Sequence, residues 1–178
     1  MFETVRNAFK IKDLRKKLFY TFFALIVVRI GSQLPVPGVK YEAIREMFNS
    51  QKSLDFFNQL TGGSFESMSI FALNITPYIT ASIIIQLLTI AIPRLEELHK
   101  DGEEGRKKLT EYTRYVTIGL SVMESAAMAI GFGNSGYLTD DKITFTSVAV
   151  IIVSLTAGSA FLMWLGEQIT EKGVGNGI

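Results

Sequence analysis

Cysteine is absent from the 178 residues, which excludes disulfides, thiol nucleophiles and cysteine-ligated metal. Histidine is nearly absent. His99 stands alone in a charged stretch with Glu96, Glu97, Lys100 and Asp101, so no multi-histidine metal site can form. An excess of one charge is also missing: 18 Lys plus Arg against 17 Asp plus Glu leave a net +1, no electrostatic footprint for nucleic acid. Nor is there a catalytic constellation. Glu66, Glu124 and Glu167 are scattered, and no nucleophile–base pair is evident. Gly173-Val-Gly-Asn-Gly177 neither follows a strand nor opens a helix, as a phosphate-binding loop would. The expectation is a protein that is not an enzyme and carries no cofactor or metal.

What the chain does have is segregation. It is 48% hydrophobic and 20% charged, with mean hydropathy +0.27, and its charges sit in blocks between long uncharged stretches. A soluble domain would mix the two classes at helical or strand periods. Four apolar spans are read, at 18–36, 74–92 (uncharged from 70), 115–132 and 143–165. Trp164 ends the last, a residue favoured at the membrane interface. Glycines at 31, 119, 131 and 158 suit close packing of membrane helices. Barrel strands would alternate over segments of about 10 residues, and these spans do not. The fold class expected is an all-α polytopic membrane bundle. The first span resembles a signal peptide in its basic flank and short apolar run. No small-residue cleavage site follows it, and the run continues through Arg29 to Pro35 and Pro37, so an uncleaved span is the reading.

The second span carries the most information. Roughly 23 residues without charge can cross ~30 Å of hydrocarbon. Yet they include Asn74, Thr76, Pro77 and Gln86. Pro77 removes a backbone donor and disfavours helix at Thr76, so the span breaks near its first third. Freed backbone groups at that depth need protein or water beside them, so the segment lines something wet. Asn74-Ile-Thr76 matches a glycosylation sequon but lies in a span before Pro77 and is set aside. Before it, 54–73 is semi-apolar, broken by Gly62-Gly63 and too polar to span; it reads as a re-entrant or interfacial segment, or as an external loop. Ile75 and Ile79 are four apart and share a helix face around Pro77. Gln86 and Glu124 are the costly polar residues; a charged carboxylate at a helix centre costs about 2.5–3.5 kcal/mol on insertion scales. Arg29, inside the first span, could reach a depth similar to Glu124 and partly neutralise it.

Four collinear blocks carry a resemblance. They are 69–89, Arg29-Ile-Gly-Ser-Gln-Leu-Pro-Val-Pro-Gly38, Gly105-Arg-Lys-Lys-Leu-Thr-Glu-Tyr-Thr-Arg-Tyr115, and 161–178. Their order and spacing resemble the SecY/Sec61α family, pore subunits of protein-translocation channels, in its bacterial form. The resemblance implies a plug at about 60–72, carried by Gly62, Gly63, Ser64, Phe65, Met68 and Phe71. It implies a pore ring to which Ile75 and Ile79 contribute, and a lateral gate with Thr80, Gln86 and Glu124. A narrow ring of branched apolar side chains disfavours water and ions while yielding to a peptide. Implied partners are SecE and SecG, the SecA motor ATPase or a ribosome, nascent secretory and membrane-protein chains, and phospholipid. The implied location is the bacterial plasma membrane. Family members have ten transmembrane helices in two inverted halves; this chain stops after the fourth, within a motif that normally continues, and is expected to be an N-terminal part. The alternatives from other classes are half of a small-molecule transporter, with Glu124 as a proton relay, and a membrane-embedded assembly factor without a pore.

Basic residues orient the chain. Arg6, Lys10, Lys12, Arg15, Lys16 and Lys17 precede the first span, and Arg94, Lys100, Arg106, Lys107, Lys108 and Arg114 lie in the 93–114 loop. Lys172 follows the fourth span, against Lys40, Arg45, Lys52 and Lys142 on the other side. The positive-inside rule puts 1–17, 93–114 and 166–178 in the cytoplasm, and 37–73 and 133–142 outside. Residues 1–17, with Phe2, Val5 and Phe9 at helical spacing, read as an amphipathic helix on the cytoplasmic face or a solvated basic tail. The cysteine-free background makes labelling clean: Asp101→Cys should resist a membrane-impermeant maleimide in intact cells and react after permeabilisation. Labelling from outside would invert this topology.

Overall fold

The computed structural model describes residues 11–50, 59, 62–139 and 144–178. Residues 1–10 of the expected 1–17 amphipathic stretch lie outside these, as do 51–58 and 60–61, which include the start of the expected plug at about 60–72, and 140–143 in the expected external loop and fourth span. Among the described residues six helices are laid out in order: α1 (Lys12–Gly31), α2 (Tyr41–Ser50), α3 (Thr76–Ala91), α4 (Pro93–Lys100), α5 (Gly102–Asn134) and α6 (Phe145–Lys172). α6 packs against both α1 and α5, and α5 also carries α3 and α4. α5 and α6 are long and apolar enough to cross a membrane, and α3 with α4 makes a third candidate if the bent pair counts as one.

α1 stops earlier than the 18–36 span drawn from hydropathy. Ser32 donates from its hydroxyl to the Arg29 carbonyl (2.8 Å), and Pro35 and Pro37 cannot continue a helix. Residues 34–36 instead pair antiparallel with 68–70. The Val36 amide donates to the Met68 carbonyl (2.8 Å) and the Ile70 amide to the Leu34 carbonyl (3.0 Å). The uncharged stretch of α1, 18–28, is roughly 16 Å long.

Prolines set the ends of α3. Pro77 sits in its first turn, where the missing N–H costs nothing, and Pro93 begins α4 after Ile92 turns extended. The two helices meet at 103°. On α4 the Lys100 ammonium bonds the Glu96 carboxylate at 2.6 Å and holds that carboxyl below its usual range.

The 93–114 stretch, charged and expected as a solvated, helix-prone hairpin, is helical on both sides of Asp101. Its second half runs without interruption into the third span, giving a helix of 33 residues, roughly 50 Å long. That exceeds the hydrocarbon thickness, so the charged turns from Glu103 to Arg114 extend beyond the apolar part. Every fourth residue of α5 is buried: Gly105, Leu109, Thr113, Thr117, Ser121, Ser125 and Ala129. A four-residue spacing on a 3.6-residue helix drifts by about 40° per step. One stripe therefore faces α4 at Gly105, against the Leu98 carbonyl, and α6 at Ser125, whose hydroxyl lies 3.2 Å from that of Thr156. The hydroxyls are satisfied within the helix, with Thr113, Thr117, Ser121 and Ser125 each donating to a carbonyl four residues back (2.6–2.9 Å).

The larger core lies where the 62–75 segment meets α2, α5 and α6. It comprises Val36, Val39, Ile44, Met68, Ala72, Leu73, Ala129, Leu138, Ile151 and Leu155. A smaller one joins Ala24 of α1 to Leu165 and Ile169 of α6. Gly158 is a close approach beside this core: a methyl there would overlap the Ile70 carbonyl, a backbone atom that cannot rotate away. Gly158→Ala should therefore destabilise by about 1–3 kcal/mol through overpacking and lower the unfolding midpoint in detergent. Gly119→Ala, with open space at its Cβ, should leave the midpoint unchanged or raise it. Equal midpoints for the two variants would contradict this packing.

Candidate pore constriction and plug

Residues 62–75 are a chain of turns ending at the first turn of α3. Gly62 and Gly63 open it with φ of +63° and +84°, a left-handed pair that glycine adopts without strain. Hydrogen bonds then close tightly along it, from the Ser67 amide to the Gly63 carbonyl (3.1 Å), from Met68 to Phe65 (3.0 Å) and from Ser69 to Ser64 (2.9 Å). Met68 is wholly buried at φ +42°, a conformation uncommon outside glycine. Asn74 takes φ +55°, tolerated by asparagine, and its carbonyl accepts from the Ser159 hydroxyl (3.3 Å).

Phe71 is the anchor of the segment. It is 4% exposed and stacks on Phe161 of α6, with ring centres 5.9 Å apart and planes 4° from parallel. Its ring fills the space a side chain at Gly31 would take, so α1 and α6 both present a glycine to the segment. Of the residues expected in a plug, Ser64, Met68 and Phe71 are buried, Gly63 and Phe65 half-buried, and Gly62 exposed.

Ile75 is the residue before α3, and the Ile79 amide bonds its carbonyl (3.1 Å). The two occupy one face. Ile75 is half-buried, while Ile79 is 47% exposed and begins an open apolar stripe continued by Ile83, Leu87 and Ile90. Gln86 stands two turns beyond Ile79 on that side, exposed, its amide 3.4 Å from the Ser82 hydroxyl. Thr80 is half-buried on the same helix. Pro77, Ala81 and Ile85 form the opposite, buried face.

Glu124 is half-buried on α5 and has no hydrogen-bond or ion-pair partner among the described residues. Gln86 and Glu124 are not brought together. Gln86 shares a cavity of about 290 Å³ with Leu109 and Thr113, which precede Glu124 by roughly 17–22 Å along α5. Arg29 is not paired with Glu124, a contact that depth along the helix had left open: its guanidinium donates to the Gly62 carbonyl at 2.6 Å. The physical reason is proximity, since the 62–75 turn folds over the last turn of α1.

Two ion pairs were not anticipated from sequence. Arg114 of α5 clasps Glu167 of α6 with two bonds of 2.8 Å, at the rim of a cavity of about 450 Å³ lined also by Tyr78, Ser82 and Thr170. Arg45 of α2 bonds Glu66 at 2.9 Å. A signal for the first was available: Arg114 and Glu167 border the third and fourth spans at the same end, and antiparallel neighbours place such residues level. The second depends on a chain reversal that no local pattern announces.

Long apolar helices, one of them entered through a buried non-helical segment, define a polytopic helical membrane protein. Residues 69–178 match the SecY family model. The Protein translocase subunit SecY of Pseudomonas aeruginosa is 46% identical over 170 residues, covering 94% of this chain and 38% of that protein. That of Halalkalibacterium halodurans is 46% identical over 181 residues, covering 100% and 41%. That of Streptomyces coelicolor is 42% identical over 191 residues, covering 100% and 44%. The chain belongs to the SecY family, and it spans about two fifths of the length of these relatives.

A double-mutant cycle on Arg114→Ala and Glu167→Ala should give a coupling of about 1 kcal/mol in detergent unfolding, near the top of the range for partly exposed pairs. Additive effects would show that the clasp does not hold α5 to α6.

Proposed function

We propose that this chain is the N-terminal part of the pore subunit of a bacterial protein-translocation channel, which passes unfolded secretory chains across the plasma membrane and releases hydrophobic segments sideways into lipid. Four spans, the first ending with α1 at Gly31 and the others at 74–92, 115–132 and 143–165, with the N-terminus and the 93–114 stretch in the cytoplasm, make up this part. Residues 62–72 are the plug, and Ile75 and Ile79 supply this part's share of the constriction. Thr80, Gln86 and Glu124 belong to the lateral gate, where they face the other half of the channel. SecE, SecG, and SecA or a translating ribosome are the partners, acting mainly through the remainder of the protein, and the driving energy comes from them.

One observation carries the reading: a buried non-helical segment, anchored by Phe71 between α1 and α6, leads directly into the Ile75–Ile79 turn of a helix whose outer face is apolar and open. A segment seated beside a ring of isoleucines can block water at rest and give way to a peptide. A carrier would place convergent polar side chains there to bind a solute; the open face of α3 offers Ile79, Ile83, Leu87 and Ile90.

The test uses the full-length protein that carries this segment, assembled with its partner subunits in planar bilayers. Ile75→Gly combined with Ile79→Gly should widen the constriction and raise resting ion conductance about tenfold or more, corresponding to ~1.4 kcal/mol or more of lost closure. Unchanged resting conductance would remove these residues from the pore.

A further inference from the structure

The two ends of the 62–75 segment are held by different chemistry. From Met68 to Phe71 it is packed and paired: the backbone bonds to 34–36, the Phe71–Phe161 stack and the glycine notches hold it without any charged group. At the other end two arginines reach it across a cavity of about 490 Å³ lined by Arg29, Gln33, Tyr41, Arg45, Gly63 and Glu66. Arg29 donates to the Gly62 carbonyl at 2.6 Å, and Arg45 to the Glu66 carboxylate at 2.9 Å with its side chain 66% exposed. The boundary between these regimes is Met68, whose positive φ is a strained conformation able to relax when the chain moves.

We infer that Arg29 and Arg45 form a polar latch on the segment: residues 62–67 lift as a flap about Met68 when both arginine contacts break, while 68–71 stay seated. The inference rests on the reading of 62–72 as a plug. The chemistry favours this order of events. Guanidinium contacts at the edge of an open polar cavity can exchange for water, whereas Phe71 can leave its notch only by opening α1 from α6. Lifting the flap also uncovers Ser64 and Phe65, so the latch biases the closed state and does not supply all of its stability. Arg29 is the stronger half, because its bond is shorter and its acceptor is a backbone carbonyl fixed by the Gly62–Gly63 turn, whereas the Arg45 side chain is largely exposed and its pair with Glu66 is screened by water and salt. Both are positioning residues, since neither needs to touch the moving polypeptide.

The experiment measures resting open probability in planar bilayers with the full-length protein and its partner subunits, normalised to inserted protein. Arg29→Gln should raise it by roughly ten- to a hundredfold, and Arg45→Gln by about two- to fivefold. Arg29→Lys, which keeps one charged donor, should restore most of the parental closure; failure of this rescue would overturn the hydrogen-bonding role. If Arg29→Gln is silent while Ile75→Gly with Ile79→Gly leaks, the latch is wrong and the channel reading stands. If the isoleucine pair is also silent, the channel reading falls and the latch with it. Should Arg29→Gln fail to accumulate, Arg45→Gln decides: a leak supports the latch and silence overturns it.

Discussion

Everything in this bundle depends on how closely a piece of irregular backbone can approach two helices. Residues 70 and 71 lie against α6 and α1 only because Gly158 and Gly31 present no Cβ, which lets the Ile70 carbonyl and the Phe71 ring occupy space a methyl would fill. Interiors packed to crystal-like density have no slack for even one extra methylene. With that approach made, Phe71 can stack on Phe161, Met68 can enter the core with Ile151 and Leu155, and 34–36 can pair with 68–70. Non-helical backbone at membrane depth is tolerable when buried in protein, and this arrangement buries it.

Polar groups are handled in three ways. The hydroxyls along α5 bond to the preceding turn of their own helix, so a polar stripe packs as tightly as an apolar one and the helices come close. Charges at the borders of the apolar stretches pair across elements, as Arg114 does with Glu167. Glu124 follows neither route: it is half-buried with no hydrogen-bond or ion-pair partner among the described residues, while Gln86 stands on an open face and reaches only the Ser82 hydroxyl one turn back on its own helix. The apolar stripe from Ile79 to Ile90 is likewise open along α3.

How a span is entered and how it is left prove to be separate matters with one cause. Pro77 and Pro93 bracket α3: the first lets turns give way to helix, the second turns the chain by 103° into α4. Both were visible as residues. What could not be seen was that the charged stretch after α4 would continue as α5 into the third span. Charge blocks mark where a chain leaves the apolar layer, and a helix of 33 residues is free to extend past it.

The sequence by itself determined what depends on composition and local backbone chemistry. Segregated charge made a helical membrane bundle, proline placed the break before α3, and the Gly62–Gly63 pair placed a turn at the start of the irregular segment. Four collinear blocks pointed to the family. Only the tertiary structure decided partners. Depth along the helix left open whether Arg29 reaches Glu124, and it bonds the Gly62 carbonyl because the chain reverses over α1. Phe71 was one apolar residue among many until Gly31 and Gly158, 127 positions apart in the chain, made a notch for it. Periodicity and propensity act over a few residues, whereas pairing and packing depend on which distant surfaces the fold brings together, and that information is not local.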